Sequence, residues 1–344
     1  MAAPPTPGQQ PTPLAIFAAI QSYQRTFLLK AAVELDVFTV VATGKTSAAD
    51  IANACDASER GMRILCDALT ANAFLVKTAN SYSLPADAAF FLDRRSPAYL
   101  GHAMKFLLHP SQIESMVHLA DAVRKGGAPE GHSTLEAEDP VWEDFARGMV
   151  PLMKPIAETV AQALQPALRG KASPKVLDIA AGHGMFGITV AHQFPAAQIY
   201  AVDWPNVLSV AQENARRLGV ADRHHLLPGD AFAVQFGSGY DAVLLTNFLH
   251  HFSPADNVRL LRKCFQAMNA SGQVVIVEFV PNEEHVSPPG PAMFSVAMLS
   301  STPEGEAYSF KELSEMCRSA GFEGLQLVSL DPLPQSLVLA RKPA

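Results

Sequence analysis

Residues 175–187, KVLDIAAGHGMFG, decide how the second half of this chain folds. Val176, Leu177 and Ile179 make a short β-prone run, and Met185 onwards begins a helical pattern. Gly182 and Gly184 between them let the backbone turn tightly and come close to a ligand. Strand, glycine turn and helix in that order mark the first unit of a doubly wound parallel sheet.

The pattern repeats outward from that stretch. Short β-rich runs follow at QIYAVDW, HHLLPGD, YDAVLLTN, QVVIVEFV, LQLVSL and SLVLARK. Helical patterns separate them at 184–194, 206–218, 255–268 and 310–321. Together these predict a seven-stranded Rossmann-like sheet. Only the short DPLPQ joins the last two strands, too short for a helical crossover, so the final strand is expected to run antiparallel.

Upstream the organisation changes. The segment TSAADIANACDASERGMRILCDALTANAFLV holds two helix patterns, Ala48 to Ala54 and Arg60 to Asn72, with Ser47 and Ser58 at N-cap positions. FLVKTANSYSL then alternates around a polar turn as a wing would. Helix-turn-helix plus hairpin predicts a winged helix, a fold that raises DNA binding. Eight basic residues face eight acidic ones between Leu14 and Leu100, a poor footprint for phosphate contacts. Dimerisation and packing fit better. The domains expected are a disordered Pro-rich tail (1–13), a winged-helix dimerisation domain (14–105), a helical linker lining an acceptor pocket (106–170) and the α/β catalytic domain (171–344).

Bulk properties narrow the function. A net charge of -7 argues against a protein built to grip nucleic acid or anionic membrane. The first residues, MAAPPTPGQQPTP, have no basic or apolar segment of a secretion signal, and no apolar run reaches the ~18 residues of a membrane span. Cys55, Cys66, Cys264 and Cys317 show no CxxC spacing and sit in amphipathic helical patterns, as buried reduced thiols do. A soluble cytoplasmic protein is expected.

Asp203 ends the second strand 19 residues beyond Gly184 (203 − 184), where a carboxylate can hold ribose hydroxyls. A nicotinamide enzyme shares both features. Against it, Asp178 makes the motif D-x-A-x-G-x-G rather than G-x-G-x-x-G, there is one nucleotide-binding half, and PGDAF sets Asp230, Ala231 and Phe232 at the third strand's end for an adenine.

On these residues the chain resembles the class I S-adenosylmethionine-dependent methyltransferases, specifically the small-molecule O-methyltransferases of plant and bacterial natural-product pathways. Their D-x-G-x-G-x-G motif stands here as Asp178 to Gly184, with Ala180 in place of the first glycine, a change that asks only for a slightly roomier turn. The resemblance spans nearly the whole chain and implies a homodimer built through the N-terminal domain. It also implies S-adenosyl-L-methionine as cofactor, with S-adenosyl-L-homocysteine as product. Asp178, Gly182, Gly184, Asp203, Trp204, Asp230, Ala231, Phe232 and Asn247 are the cofactor-binding residues expected.

Methyl transfer to a phenol needs a base, because a hydroxyl of pKa about 10 is only about 0.1% ionised at pH 7. In HHFSPADNVRLLRKC the resemblance puts His250 on the family's catalytic histidine, His251 on its aspartate and Phe252 on its tryptophan. It implies two flanking carboxylates, Glu278 after the fifth strand and Glu306 in STPEGEAYSF. That loop is one residue shorter than the family's, so Glu304 is the alternative. His251 is read as a neighbour that marks a bacterial subgroup. Adjacent histidines on one element point apart, so no metal site is expected. FARGMVPLM is similar to the family's F-x-x-x-M segment and implies Phe145, Met149 and nearby Met153 in the acceptor pocket. PPGPAMFSVAML resembles a lid, with Met293, Phe294 and Met298 as walls. A carbon or nitrogen acceptor on the same scaffold, or a winged-helix regulator that merely senses a ligand, are the competing readings.

Overall fold

The computed structural model describes residues 11–129 and 141–344. Most of the tail 1–13, and residues 130–140 of the Gly- and Pro-containing break, lie outside the described residues. The chain divides into two compact units, residues 1–104 and 105–344.

The first unit is a winged helix. Helices Ala48–Ala54 and Glu59–Ala71 start at serine caps: Ser47 Oγ accepts from the Asp50 N–H and Ser58 Oγ from the Gly61 N–H, each at 3.1 Å. The wing is a hairpin of β1 (Val76–Thr78) and β2 (Ser81–Ser83). Asp67 on the second helix holds it, accepting from Lys77 Nζ at 2.5 Å and Tyr82 Oη at 2.6 Å. Phe38, Ile51, Met62, Leu69 and Tyr82 form the core. Helix Leu14–Glu34 leaves Leu14, Phe17, Ile20 and Tyr23 more than half exposed, an apolar stripe that this unit alone does not bury.

The second unit is built on seven strands: β3 (Lys175–Ile179), β4 (Gln198–Asp203), β5 (His224–Pro228), β6 (Tyr240–Thr246), β7 (Met268–Glu278), β8 (Glu323–Ser329) and β9 (Ser336–Arg341). They lie in the order β5-β4-β3-β6-β7-β9-β8. β9 is antiparallel to both its neighbours, β7 and β8, and the remaining pairs are parallel. Period-two alternation divides the core into two layers. Leu177, Ile179, Val243, Leu245 and Ile276 pack with helices Pro254–Ala267 and Phe310–Ser319. Val176, Ala242, Leu244, Val275 and Val277 pack with helix Met185–Gln193 and the end of helix Val141–Ala163. Residues 106–170 therefore share a compact unit with the sheet, and the later turns of Val141–Ala163 belong to its core. The lid segment is a regular helix, Pro289–Ser301. Among the described residues no helix is long and apolar enough to cross a membrane.

The strand order reverses at β3, with β4 on one side and β6 on the other. Loops leaving β3 and β6 diverge there and open a crevice at their carboxyl ends, where ligands bind in sheets of this kind.

Candidate active site

A cavity of about 500 Å³ fills that crevice, lined by residues from the ends of β3, β4, β6 and β7 and from helices Val141–Ala163 and Pro289–Ser301. Its two ends differ in chemistry.

At one end the chain leaves β3 through Ala180 at φ +54°, Gly182 at +57° and Gly184 at +73°. Ala180 lines the cavity in a left-handed conformation, so its side chain is strained there, beyond needing mere room. A Cβ on Gly182 would meet nothing nearer than the Ala180 carbonyl at 3.9 Å, which leaves this turn open to a ligand. The Gly182 N–H donates to Asp203 Oδ2 and the Trp204 N–H to Asp203 Oδ1, both at 2.8 Å. Burial pushes the Asp203 carboxyl up to about 6 against the pull of those two donors. Asp230 Oδ1 accepts from the Phe232 N–H at 2.8 Å, and Asp230, Ala231 and Phe232 all line the wall. Asn247, at φ +52°, also lines it with its Oδ1 buried and without a hydrogen-bond partner among the described residues.

Two expected cofactor residues act from beneath the wall. Asp178 is fully buried and its Oδ2 accepts from the Gly187 N–H at 3.0 Å, so it braces the turn from behind. Burial raises its carboxyl to about 7. Gly184 packs on helix Pro205–Arg217, where a Cβ would lie 3.0 Å from that of Ala211. Neither residue lines the cavity.

His250 lies where the two ends meet. After β6 the chain makes a single 3₁₀ turn, Leu249–His251. Glu278, at the end of β7, caps it: Oε1 accepts from the N–H groups of Phe248 at 3.0 Å and Leu249 at 2.8 Å. Its Oε2 lies 2.5 Å from His250 Nδ1. Both side chains are buried, His250 at 4% and Glu278 at 2% exposure, so this pair acts in a low dielectric. Nδ1 is engaged, and Nε2 is the nitrogen left for a ligand.

Glu306 does not join them. Gly305 backs directly onto His250, since a Cβ there would lie 2.3 Å from the His250 carbonyl oxygen. The chain then turns outward, leaving Glu306 half exposed and 3.5 Å from His285 Nδ1. His285 Nε2 in turn meets Glu312 at 3.1 Å. The alternative, Glu304, is exposed as well.

At the other end the walls are aromatic and thioether. Phe145, Met149 and Met153 line the cavity as expected, and so do Phe294 and Met298. Met293 does not: it is 63% exposed, one residue off the stripe Phe294, Ala297, Met298 and Ser301 that the helix turns inward. Trp142, Phe106 and Phe279 line the cavity too, beyond the residues expected from the sequence. Trp142 continues the stripe of Phe145 and Met149 by helical period, so the signal for it was present. Phe279 stacks on Phe294 at 3.9 Å, a contact no local pattern announces. His251 also lines the cavity, with its ring edge-on to Trp142 at 5.7 Å. Among the described residues no group of three or more His, Cys, Asp or Glu side chains is arranged to hold a metal ion.

Known proteins match this architecture. The model of the O-methyltransferase domain matches residues 116–323, and that of the O-methyltransferase dimerisation domain matches residues 17–94. A 3-hydroxy-5-methyl-1-naphthoate 3-O-methyltransferase from Streptomyces sahachiroi is 27% identical over 308 residues, 88% of each chain. A solved structure from Nostoc punctiforme, assigned to the O-methyltransferases, is 46% identical with a TM-score of 0.91, covering 97% of this chain and 100% of its own. Human N-acetylserotonin methyltransferase, solved with S-adenosylmethionine, shares the fold at 20% identity and a TM-score of 0.84, covering 98% of this chain and 100% of its own.

Proposed function

This chain belongs to the S-adenosylmethionine-dependent O-methyltransferase family, and from that premise we propose that it methylates a hydroxyl on a small hydrophobic aromatic metabolite with His250 as general base. The observation that carries the base is the 2.5 Å contact between Nδ1 of His250, which lines the cavity, and Oε2 of Glu278 buried behind it.

The glycine-turn end suits the cofactor. Asp203 has carboxylate lone pairs beyond the two that its backbone donors occupy, and these can accept from ribose hydroxyls. Open space over Gly182 admits the ligand close to the backbone, and Asn247 Oδ1 offers one further acceptor. Phe232 provides an aromatic wall for a purine and Asp230 a carboxylate for its amino group. When bound, S-adenosylmethionine supplies an electrophilic methyl on a sulfonium centre.

The chain's own contribution is proton management and positioning. His250 Nε2 takes the acceptor's hydroxyl proton, and Glu278 fixes the tautomer that leaves Nε2 free. The same carboxylate stabilises the imidazolium that results. Phe145, Trp142 and the stacked pair Phe279–Phe294 hold a flat ring and exclude water. The dimerisation domain implies a homodimer. We read its winged helix as a subunit contact, a reading that its balanced charge and the exposed stripe on Leu14–Glu34 support. A cytoplasmic location, without nucleic-acid or membrane partners, belongs to the same proposal; four unpaired cysteines and the charge of -7 support it.

Incubation with S-adenosylmethionine and a panel of phenols and naphthols tests the reading by release of S-adenosylhomocysteine. Methylated oxygen identified by mass spectrometry and NMR is the expected result. Binding of cofactor with no turnover of any hydroxylated ring, or methyl found on carbon or nitrogen, overturns it.

A further inference from the structure

His250 is engaged at Nδ1 by Glu278, but the histidine beside it is not. His251 Nδ1 is buried and has no hydrogen-bond partner among the described residues. A buried polar nitrogen left unpaired is costly, and the cost persists unless a ligand or water satisfies the ring. Burial first, and the neighbouring His250 second, hold its pKa well below the usual value, so it stays uncharged at pH 7. An uncharged imidazole both donates and accepts, one role at each nitrogen.

Geometry sets what such a ring can read. The two imidazoles share one 3₁₀ turn with their centroids 4.3 Å apart, inclined at 53°. Both line the cavity, so a planar acceptor that offers one oxygen to His250 brings the neighbouring ring position past His251. Trp142 stands edge-on to His251 at 5.7 Å and limits its rotation. Charge selects further. Among the described residues no lysine or arginine lines the cavity, whose ionisable groups are Asp203, Asp230 and the two histidines. A carboxylate or phosphate on the acceptor would meet no fixed counter-charge there.

We propose that His251 is a specificity-determining residue that hydrogen-bonds a second oxygen ortho to the reacting hydroxyl. The preferred acceptor is accordingly an uncharged aromatic ring with oxygens on adjacent carbons. This rests on the proposed O-methylation at His250, and the test separates the two.

The probes are 2,3-dihydroxynaphthalene, 2-naphthol and 3-hydroxy-2-naphthoate, with kcat/KM measured at saturating S-adenosylmethionine for the full chain, His251→Phe and His251→Asn. The wild type is expected to favour the diol over 2-naphthol at least tenfold, with the carboxylate slowest. His251→Phe keeps the ring packing against Trp142 and removes both nitrogens. It should lower turnover of the diol at least tenfold more than that of 2-naphthol, and His251→Asn should restore part of the preference. A wild-type preference below twofold overturns the proposal without any variant. So does an equal loss on both rings in His251→Phe, which marks a structural role, or a carboxylate faster than the diol. Turnover of none of the three rings, with cofactor binding intact, overturns the reading of the site itself and this inference with it.

Discussion

His250 and Glu278 form one mechanical unit: a single carboxylate caps the turn that presents the histidine and, through its other oxygen, orients the ring at 2.5 Å. Position and ring orientation of His250 thus depend on the same residue at the end of β7. Losing the imidazole should remove general-base catalysis and little else. His250→Ala is expected to lower kcat by about 10²-fold or more, with S-adenosylmethionine affinity by calorimetry unchanged within about twofold. Near-normal turnover would refute the assignment.

Glu278→Gln probes the tautomer. A glutamine keeps a carbonyl oxygen for the Phe248 and Leu249 N–H groups but turns an amide donor toward His250 Nδ1. That moves the imidazole proton to Nε2, the nitrogen that must accept. Activity should fall nearly as far as in His250→Ala while the melting temperature changes little. Glu278→Ala should instead also destabilise the fold, by about 1–3 kcal/mol in thermal or denaturant unfolding, because it leaves buried N–H groups unpaired.

Glu306→Gln should be almost silent. Its carboxylate faces His285, away from the base, so kcat is expected to stay within about twofold of wild type. A loss of about tenfold would show that the loop rearranges to bring Glu306 to His250 in the working enzyme.

Asp203 couples function against stability. Its carboxyl is raised to about 6, above the ordinary 3.8, so at high pH the ionised group is worse off in the folded chain than in the unfolded one. The penalty is absent below 3.8, grows as pH rises and is complete above about 6. Asp203→Asn should therefore raise the melting temperature of the ligand-free protein at pH 8 by a few degrees and leave it unchanged at pH 4. The same variant should weaken S-adenosylmethionine binding at least tenfold by loss of a charged acceptor for ribose. In the wild type, cofactor affinity should decline as pH drops through about 6. Undiminished affinity in Asp203→Asn would reject the ribose role.

Ala180→Gly offers a stabilising change in the site itself. An alanine at φ +54° costs roughly 1–2 kcal/mol relative to glycine, partly offset by the roughly 0.4–1 kcal/mol of extra chain entropy that glycine loses on folding. A net gain of about 0.5–1 kcal/mol is expected in denaturant unfolding. A loss would mean that the Ala180 methyl group makes a packing contact worth more than the strain.

The alternation of strands and helices after residue 174, the glycine turn, the winged helix with its serine caps and the place of His250 after the fourth strand of the sheet were all legible in the chain. Each rests on local physics: period-two or helical spacing, conformations open to glycine, and short polar caps act within a few residues. The site's finer assignments were not local. Asp178 and Gly184 belong to the motif but serve it from below, because only packing decides which side of a turn faces a ligand. Met293 and Phe294 are adjacent, and the rotation of one helix against the cavity separates them. Glu306 lies one residue past Gly305, whose contact with the His250 carbonyl fixes where the loop turns away. Sequence by itself determined the fold and brought the glycine turn, Asp203 and His250 forward as candidates for the site. Only tertiary structure decided that one carboxylate attends His250 and that His251 shares the cavity, because those relations join segments tens of residues apart through burial that no local pattern encodes.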